Sequence, residues 1–214
     1  GNFSEKELDN VEECFKYKDS NSVTWINVDG LHDSKIIETL GEYYGIHSLV
    51  LEDILNTNQR PKVEEHDSYM FFVLKMIYFK NNSREEIFTE QISIILGQNF
   101  VISFQETIGD IFDQIRDRIR LGKGKLRKMG ADYLAYTLID TLVDHYFLIM
   151  EKIGEELEYL EEEIITIPKS ETMKKIYTIK TDIIYLRKAI WPVREMMGTI
   201  MRTDFPIITE SVKI

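Results

Sequence analysis

The sequence predicts an α/β fold followed by a long antiparallel helical hairpin. Three observations support this class. Short amphipathic helical segments lie in the first half of the chain, a strand-rich stretch fills the middle, and two long segments with helical periodicity, Gly130–Ile167 and Lys169–Thr203, follow. The chain has 214 residues, of which 43% are hydrophobic, and this is enough for one sizeable core with an appended hairpin.

The first two predicted elements are a helix and a strand. Ser4–Lys18 places three apolar residues on one side of a short helix, with Ser4 as its cap. Val23–Val28 is rich in β-branched and aromatic residues and is apolar on both faces, which is typical of an interior strand.

Two further helices come next. Apolar residues from Ile36 to Tyr44 define a helix that ends at Gly45, because glycine readily adopts the left-handed conformation that closes a helix. The second helix covers Leu49–Asn56, with Ser48 as its cap.

The stretch after residue 61 predicts four strands: Lys62–Glu65, Tyr69–Phe79, Ile87–Leu96 and Asn99–Gln105. Short turn sequences separate them, including Asn81–Ser83 between the second and the third. Strands joined in this way pair with their neighbours in sequence, so the region predicts a meander.

A helix and a basic stretch follow the strands. Ile108–Leu121 predicts a helix with this buried face: Ile108, Ile111, Phe112, Ile115 and Ile119. The basic stretch Arg116–Lys128 contains two glycines, but it lacks the glycine spacing of a phosphate-binding loop and no strand precedes it. Cations at the C-terminus of a helix, followed by a turn, explain it better.

The hairpin is predicted from apolar residues that recur at alternating steps of four and three. The first helix carries Tyr146, Met150, Ile153, Leu157, Leu160, Ile164 and Ile167. The second carries Ile176, Ile179, Ile183, Leu186, Ile190, Val193, Met197 and Ile200. Each stripe is typical of the seam of a coiled-coil-like pair. Pro168 separates the helices because proline cannot continue a helix, and Ser170 can cap the second one.

The two hairpin helices carry opposite charge. Residues 130–167 contain ten acidic residues against Lys152, a net charge of −9, and residues 168–203 contain eight basic and three acidic residues, a net charge of +5. Opposite charges beside apolar seams favour antiparallel pairing. The whole chain has a net charge of −11, so only −2 lies outside the first hairpin helix. This local acidity makes the chain a poor candidate for binding nucleic acid or anionic lipid.

The chemistry of catalysis is not evident in the sequence. Cys14 is the one cysteine, which excludes an intrachain disulfide and fits a cytosolic setting. No motif surrounds Cys14, and the four histidines include no zinc-type pair. We therefore predict that the chain is not an enzyme. No signal peptide and no apolar run long enough to span a membrane is visible, so we expect the polypeptide as given to be soluble.

Some acidic residues stand out against this background. Glu52 and Asp53 are consecutive on a predicted helix, so their side chains diverge by about 100° and do not chelate one ion together. On composition alone, an exposed helix face is the better explanation of both residues. Asp140 interrupts an apolar run and shares a helix face with Asp144, and two carboxylates at this spacing repel unless positive charge lies beside them.

Five blocks of sequence carry a resemblance: TWINVDGL (Thr24–Leu31), IHSLVLEDILNTNQRPKVEEHDSYMFFVLK (Ile46–Lys75), EQISIILGQNFVISFQE (Glu90–Glu106), GADYLAYTLIDTLVDHYF (Gly130–Phe147) and LRKAIWPVRE (Leu186–Glu195). In sequence and in order they resemble the CorA family of magnesium transporters. The resemblance implies the cytosolic N-terminal domain of a homopentameric divalent-cation channel. It also implies an α/β/α sandwich with a mixed, largely antiparallel sheet, on the cytoplasmic face of the cell membrane.

The resemblance divides the chain into three parts. Residues 1–128 are expected to form the α/β/α cytosolic domain, residues 129–206 the helical hairpin packed against it, and residues 207–214 the start of a truncated stalk segment. The family's pore motif and membrane spans are absent from this sequence, so we expect neither ion conduction nor a stable pentamer from it. The sheet is expected to lack a leading strand and to have an exposed edge.

The resemblance also implies metal ligands. Regulatory Mg2+ would lie between neighbouring domains, with Asp53 as a main ligand and with Glu52 and Asp140 at a second site. Co2+ or another divalent cation could take the same places. A further family aspartate falls beyond Ile214, which leaves the implied sites incomplete. Bound Mg2+ would offset carboxylate repulsion across the subunit interface and favour a closed pentamer.

Two alternative functions remain open. One is a relative in the same superfamily that is specialised for zinc or cobalt, although the lack of a Cys/His cluster argues against selective binding of a soft metal here. The other is a passive assembly module whose acidic helix only attracts cations toward the membrane.

Overall fold

A five-stranded mixed sheet forms the centre of the computed structural model, which describes residues 3–79, 87–166, 170–202, 204–210, 212 and 213. The strands are β1 (Thr24–Asp29), β2 (Lys62–His66), β3 (Tyr69–Phe79), β4 (Ile87–Leu96) and β5 (Phe100–Gln105). Their order is β1-β5-β4-β3-β2, with β1 parallel to β5 and the other pairs antiparallel. The predicted meander from β2 to β5 is confirmed. The predicted turn at Asn81–Ser83 lies outside the described residues.

Strand β1 lies at one edge of this sheet, so the prediction that it is an interior strand was wrong. On one face, the ring of Trp25 lies 6.1 Å from the ring of Phe112 and 5.2 Å from the guanidinium of Arg116. On the other face, Ile26 is buried in the core beneath the first helices. The strand is apolar on both faces because helices cover both, although only β5 pairs with it.

Helices α1 (Ser34–Tyr44) and α2 (Ser48–Leu55) and a 3-10 helix (Val11–Tyr17) cover one face of the sheet. Helix α1 ends at Gly45 as predicted, because Gly45 has a φ of 72°. The α1–α2 crossing is close: a Cβ on Gly41 would clash with the side chain of Leu51. The apolar residues of α1 and α2 pack on alternate residues of β3 and β5.

Two predicted helix starts in this layer were wrong. The N-terminal helix is the short 3-10 helix, and Asn10 rather than Ser4 caps it by accepting a hydrogen bond from the backbone N–H of Glu12 at 3.0 Å. Helix α2 is capped by His47 rather than by Ser48, since the His47 Nδ1 accepts from the N–H of Leu49 at 3.2 Å. Ring nitrogens and side-chain oxygens both satisfy free N–H groups at a helix start.

Helices α3 (Asp113–Arg120), α4 (Ala131–Thr166) and α5 (Ser170–Arg202) lie on the other face. Residues of the sheet and of both hairpin helices share one apolar core, in which α4 contacts β3, β4 and β5 and α5 contacts β2 and β3. The two helical layers around a mixed sheet confirm the α/β/α sandwich and the long hairpin.

Helix α3 starts later than predicted. Ile108 was placed on its buried face, but the residue precedes the helix and is 88% exposed. Gly109 has a φ of 105°, and the Asp110 carboxylate accepts from the N–H of Phe112 at 2.8 Å. This local turn directs the chain into the helix, so that Phe112 and Ile115 are buried as predicted while Ile108 points to solvent.

The predicted seam of the hairpin is only half correct. Its buried members are Tyr146, Ile153, Leu160, Ile179, Leu186, Val193 and Ile200. Met150, Leu157, Ile164 and Ile183 are exposed, while Ala189 and Met196, which lay outside the predicted stripe, are buried. Each helix is therefore rotated so that part of the predicted stripe faces the sheet. The exposed members Met150, Leu157 and Ile183, together with Trp191, line an open apolar groove of about 550 Å3. Ile167, Pro168 and the side chain of Ser170 lie outside the described residues.

Candidate functional site

The candidate site is built around the end of helix α2. Val50 and Ile54 are buried against the sheet, which fixes the rotation of the helix and leaves Glu52 exposed and Asp53 half-buried. The two acidic side chains diverge, as their consecutive positions predict. The helix thus offers one carboxylate to solvent and aims the other along the surface of the sheet.

Two sheet residues anchor the C-terminal end of α2. The Gln91 amide donates to the backbone carbonyl of Asp53 at 3.0 Å, and the Lys75 ammonium donates to the carbonyl of Thr57 at 2.6 Å. Lys75 and Gln91 are cross-strand partners on β3 and β4. Carbonyls at the end of a helix need such partners, so these two side chains hold the Asp53 backbone at a fixed height above the sheet.

Both carboxylate oxygens of Asp53 already have partners within the chain. The Lys62 ammonium lies 2.6 Å from Oδ2, and the Gln59 amide donates to Oδ1 at 2.7 Å. The same ammonium lies 2.6 Å from Oε1 of Glu64 and 5.6 Å from the centre of the Phe71 ring. Burial alone would lower the pKa of Lys62, but its hydrogen bonds to Asp53 and Glu64 raise the pKa above its ordinary value.

Asp140 lies in a different environment, on the exposed side of α4. The hydroxyl of Tyr136 approaches its Oδ1 at 3.5 Å, which is at the limit of a hydrogen bond. Loss of solvent raises the pKa of Asp140, and the negative charge of Asp144 raises it further, while Tyr136 and Arg118 oppose the shift. The predicted repulsion between the two carboxylates is therefore present, and it is only partly relieved.

The three predicted ligands do not converge within one chain. Helix α2 belongs to the core on one face of the sheet and α4 to the core on the other. Across the described part of the chain, no three histidine, cysteine or acidic side chains lie close enough together to hold a metal ion. The donors are all carboxylate oxygens, a chemistry that suits Mg2+, but the described residues of one chain do not supply enough of them at one point.

A second polar network lies where the parallel strands β1 and β5 end. Asp110 is almost fully buried there and pairs with both nitrogens of the Arg116 guanidinium. Gln105 donates to the Asp110 carboxylate at 3.1 Å. Burial alone would raise the pKa of Asp110, but Arg116, the N–H of Phe112 and Gln105 bring it below the ordinary value. These groups bond to one another within the chain, so the network stabilises the fold, although the Oε1 of Gln105 is buried with no hydrogen-bond partner among the described residues.

Sequence reasoning missed the residues that hold Asp53 in place. Lys62 and Glu64 are two residues apart on β2, and side chains at that spacing on a strand point to the same face of the sheet. That spacing could have indicated that a lysine and an acid lie together beside the sheet. Lys75 gave a weaker signal, as the one charged residue in the otherwise apolar run of β3. Gln91 gave less, because it lies between the polar residues Glu90 and Ser93 in β4.

Comparison with known proteins identifies the relatives of this chain. A family model described as CorA-like Mg2+ transporter protein matches residues 20–213. The cobalt/magnesium transport protein CorA of Thermotoga maritima is 47% identical over 206 residues, which are 96% of this chain and 58% of that protein. This chain therefore spans little more than half the length of that relative.

Solved structures share the fold. The soluble domain of CorA from Methanocaldococcus jannaschii matches with a TM-score of 0.74 at 21% identity, over 88% of this chain and 74% of that one. The complete CorA magnesium transporter of the same organism matches with a TM-score of 0.71 at 22% identity, over 88% of this chain and 58% of that one. None of the helices described in the present structure is long and apolar enough to cross a membrane.

Proposed function

This chain belongs to the family of CorA-like Mg2+ transporter proteins, and we propose that it forms the cytosolic, Mg2+-sensing regulatory domain of a CorA-type divalent-cation channel. In this proposal it works next to other copies of itself in a homopentamer, on the cytoplasmic face of the cell membrane. The family consists of transporters rather than enzymes, in line with the absence of a catalytic motif. Since the chain spans 58% of its Thermotoga relative, the transport activity itself is part of the proposal.

The observation that carries the proposal is the placement of the acidic residues. Asp53 and Glu52 lie in the layer on one face of the sheet, and Asp140 lies in the layer on the other. Acidic side chains that cannot meet within one chain can still meet between two chains packed side by side. This supports ion sites shared by neighbouring subunits, with Asp53 in one and Glu52 and Asp140 in another.

The protein's own part in the mechanism is electrostatic. Asp140 has a raised pKa because it is partly desolvated beside Asp144, so its negative charge is costly. Glu52 is exposed and brings a further negative charge to any surface that covers α2. Like charges brought together at a subunit interface push the domains apart. Mg2+, when bound, supplies the positive charge that offsets this repulsion and favours the closed assembly.

The acidic surface of α4 favours a second candidate, a passive assembly module. Its segment carries a net charge of −9, and a field of this kind concentrates cations without any specific site. The two functions differ in their dependence on single residues. A diffuse field changes little when one carboxylate is removed, whereas a site loses a ligand.

Limited proteolysis of the membrane-inserted protein tests the proposal. We expect Mg2+ to slow cleavage of this domain in the wild type, and we expect Asp53→Asn or Asp140→Asn to need several-fold more Mg2+ for the same protection. Asp67→Asn is the matched control, because Asp67 is an exposed aspartate in the turn between β2 and β3. If all three variants keep nearly the protection of the wild type, the passive module is favoured. If Mg2+ does not slow cleavage of the wild type, the sensing role is refuted.

A further inference from the structure

The carboxylate of Asp53 is not free to receive an ion, because the chain already supplies a cation to it. The Lys62 ammonium lies 2.6 Å from Oδ2, and the amide of Gln59 occupies Oδ1 at 2.7 Å. A divalent cation that takes Asp53 as a direct ligand therefore meets the positive charge of Lys62 beside Oδ2 and competes with it. We propose that Lys62 is a resident counterion of Asp53 that competes with divalent cations and sets the concentration at which they engage this residue.

This inference rests on the proposed function and names the regulation of its main ligand. Lys62 holds two acidic side chains, since its ammonium is also 2.6 Å from Oε1 of Glu64. Because Oδ2 of Asp53 and Oε1 of Glu64 each lie 2.6 Å from the same Lys62 nitrogen, the two oxygens must lie close to each other. Without the ammonium, two carboxylates would face each other across a gap of one cation, an arrangement that repels when empty and attracts a divalent ion.

A divalent cation can displace the Lys62 ammonium from Asp53 because the ammonium can move to another position. Its side chain is 28% exposed and flexible, and β2 is the edge strand of the sheet, so the ammonium can swing outward. Glu64 is 38% exposed and can keep the ammonium as its partner after Asp53 has released it. The lysine therefore exchanges one of two ion pairs and leaves no charge unpaired, which keeps the exchange reversible.

The anchoring of Asp53 makes this a competition at one fixed point. Gln91 holds its backbone carbonyl at 3.0 Å, and Gln59 holds its second carboxylate oxygen. The carboxylate thus stays in place while the cation beside it changes. Partly exposed ion pairs of this kind change binding constants by a modest factor, so removing Lys62 should tighten divalent binding at Asp53 about three- to tenfold.

The test is a titration of this chain with Mg2+ and with paramagnetic Co2+, followed by NMR signals of residues around Asp53 and of the Lys62 ammonium. We expect the midpoint in Lys62→Met to fall about three- to tenfold below that of the wild type. Methionine keeps most of the length of the lysine side chain and removes its positive charge. Lys62→Gln is a second variant with the same expected direction, and Lys35→Met, which removes an exposed lysine on α1, should leave the midpoint unchanged.

The outcomes separate this inference from the proposed function. If Asp53→Asn abolishes the local response while Lys62→Met and Lys62→Gln titrate like the wild type, the site stands and the counterion role is refuted. If Lys35→Met lowers the midpoint as much as Lys62→Met does, only net charge matters and the counterion role is also refuted. If neither Lys62 variant responds to either cation around Asp53, the inference fails, whereas the proposed function is decided separately by proteolysis of the assembled protein.

Discussion

Replacing Arg116 by methionine would leave the carboxylate of Asp110 without its cation. The Asp110 side chain is 1% exposed and that of Arg116 is 20% exposed, so the pair is largely out of solvent. Removing one partner of a buried pair costs about 3–5 kcal/mol. Asp110 would keep its hydrogen bonds from the N–H of Phe112 at 2.8 Å and from Gln105 at 3.1 Å, so we expect a smaller loss, about 2–3 kcal/mol in the free energy of unfolding. For a chain of this size, that loss lowers Tm by about 5–10 °C.

The pH dependence identifies the cause of this loss. In the wild type the pKa of Asp110 is lowered, so its contribution is complete above the ordinary aspartate pKa and is lost as pH falls through the folded-state pKa. In Arg116→Met, burial raises the pKa of Asp110 instead, and the carboxyl can take up a proton at higher pH. The difference in stability between the two proteins should therefore be largest near neutral pH and shrink below about pH 4.

Thermal and urea unfolding followed by circular dichroism measures both effects. The matched control is Arg120→Met. Arg120 lies on the same helix as Arg116, and its ion pairs with Glu5 and Asp117 are exposed. We expect this control to melt with the wild type. The reasoning is refuted if Arg116→Met also melts with the wild type at neutral pH, or if its deficit is the same at pH 7 and at acid pH.

Two further predictions concern charge and assembly. NMR titration should give Asp140 a pKa above that of an ordinary aspartate, and Asp144→Asn should lower it. Because folding raises this pKa, the contribution of Asp140 to stability falls as pH rises from the unfolded-state to the folded-state pKa. An Asp140 pKa at or below the ordinary value would contradict the described repulsion. Light scattering of the 214-residue chain at low concentration should show no pentamer, and a stable pentamer would contradict our expectation that this part of the protein does not assemble alone.

Local chemistry explains which parts of the fold were predictable. Gly45 closes α1 where expected, because a left-handed residue at a helix end needs no distant partner. The runs that form β3 and β4 were predicted with their bounds, since β-branched, aromatic and other apolar residues make up most of both strands. The burial of Ile108 and the cap at Ser48 were wrong, because a neighbouring turn and the ring of His47 decide those positions.

The sequence draws attention to the acidic residues of the candidate site but not to their surroundings. The roles of Glu52, Asp53 and Asp140 as metal ligands came from a resemblance, and whether they bind metal stays a prediction. Lys62 is nine residues from Asp53 along the chain and reaches it only because β2 returns past α2. Contacts of that kind depend on how elements pack, which the pattern of a single segment does not contain.

Lys75 gives the molecule a mechanical property that follows from its two hydrogen bonds. Its side chain holds the loop after α2 through the carbonyl of Thr57, and its own backbone carbonyl accepts the hydroxyl of Tyr146 on α4. One residue in the middle of β3 thus forms hydrogen bonds with both of the helical layers that cover the sheet. A force that slides the hairpin along the sheet would act on this residue as well as on the shared apolar core, and would reach the loop beside Asp53. The sandwich should therefore tilt as one rigid body rather than shear between its layers.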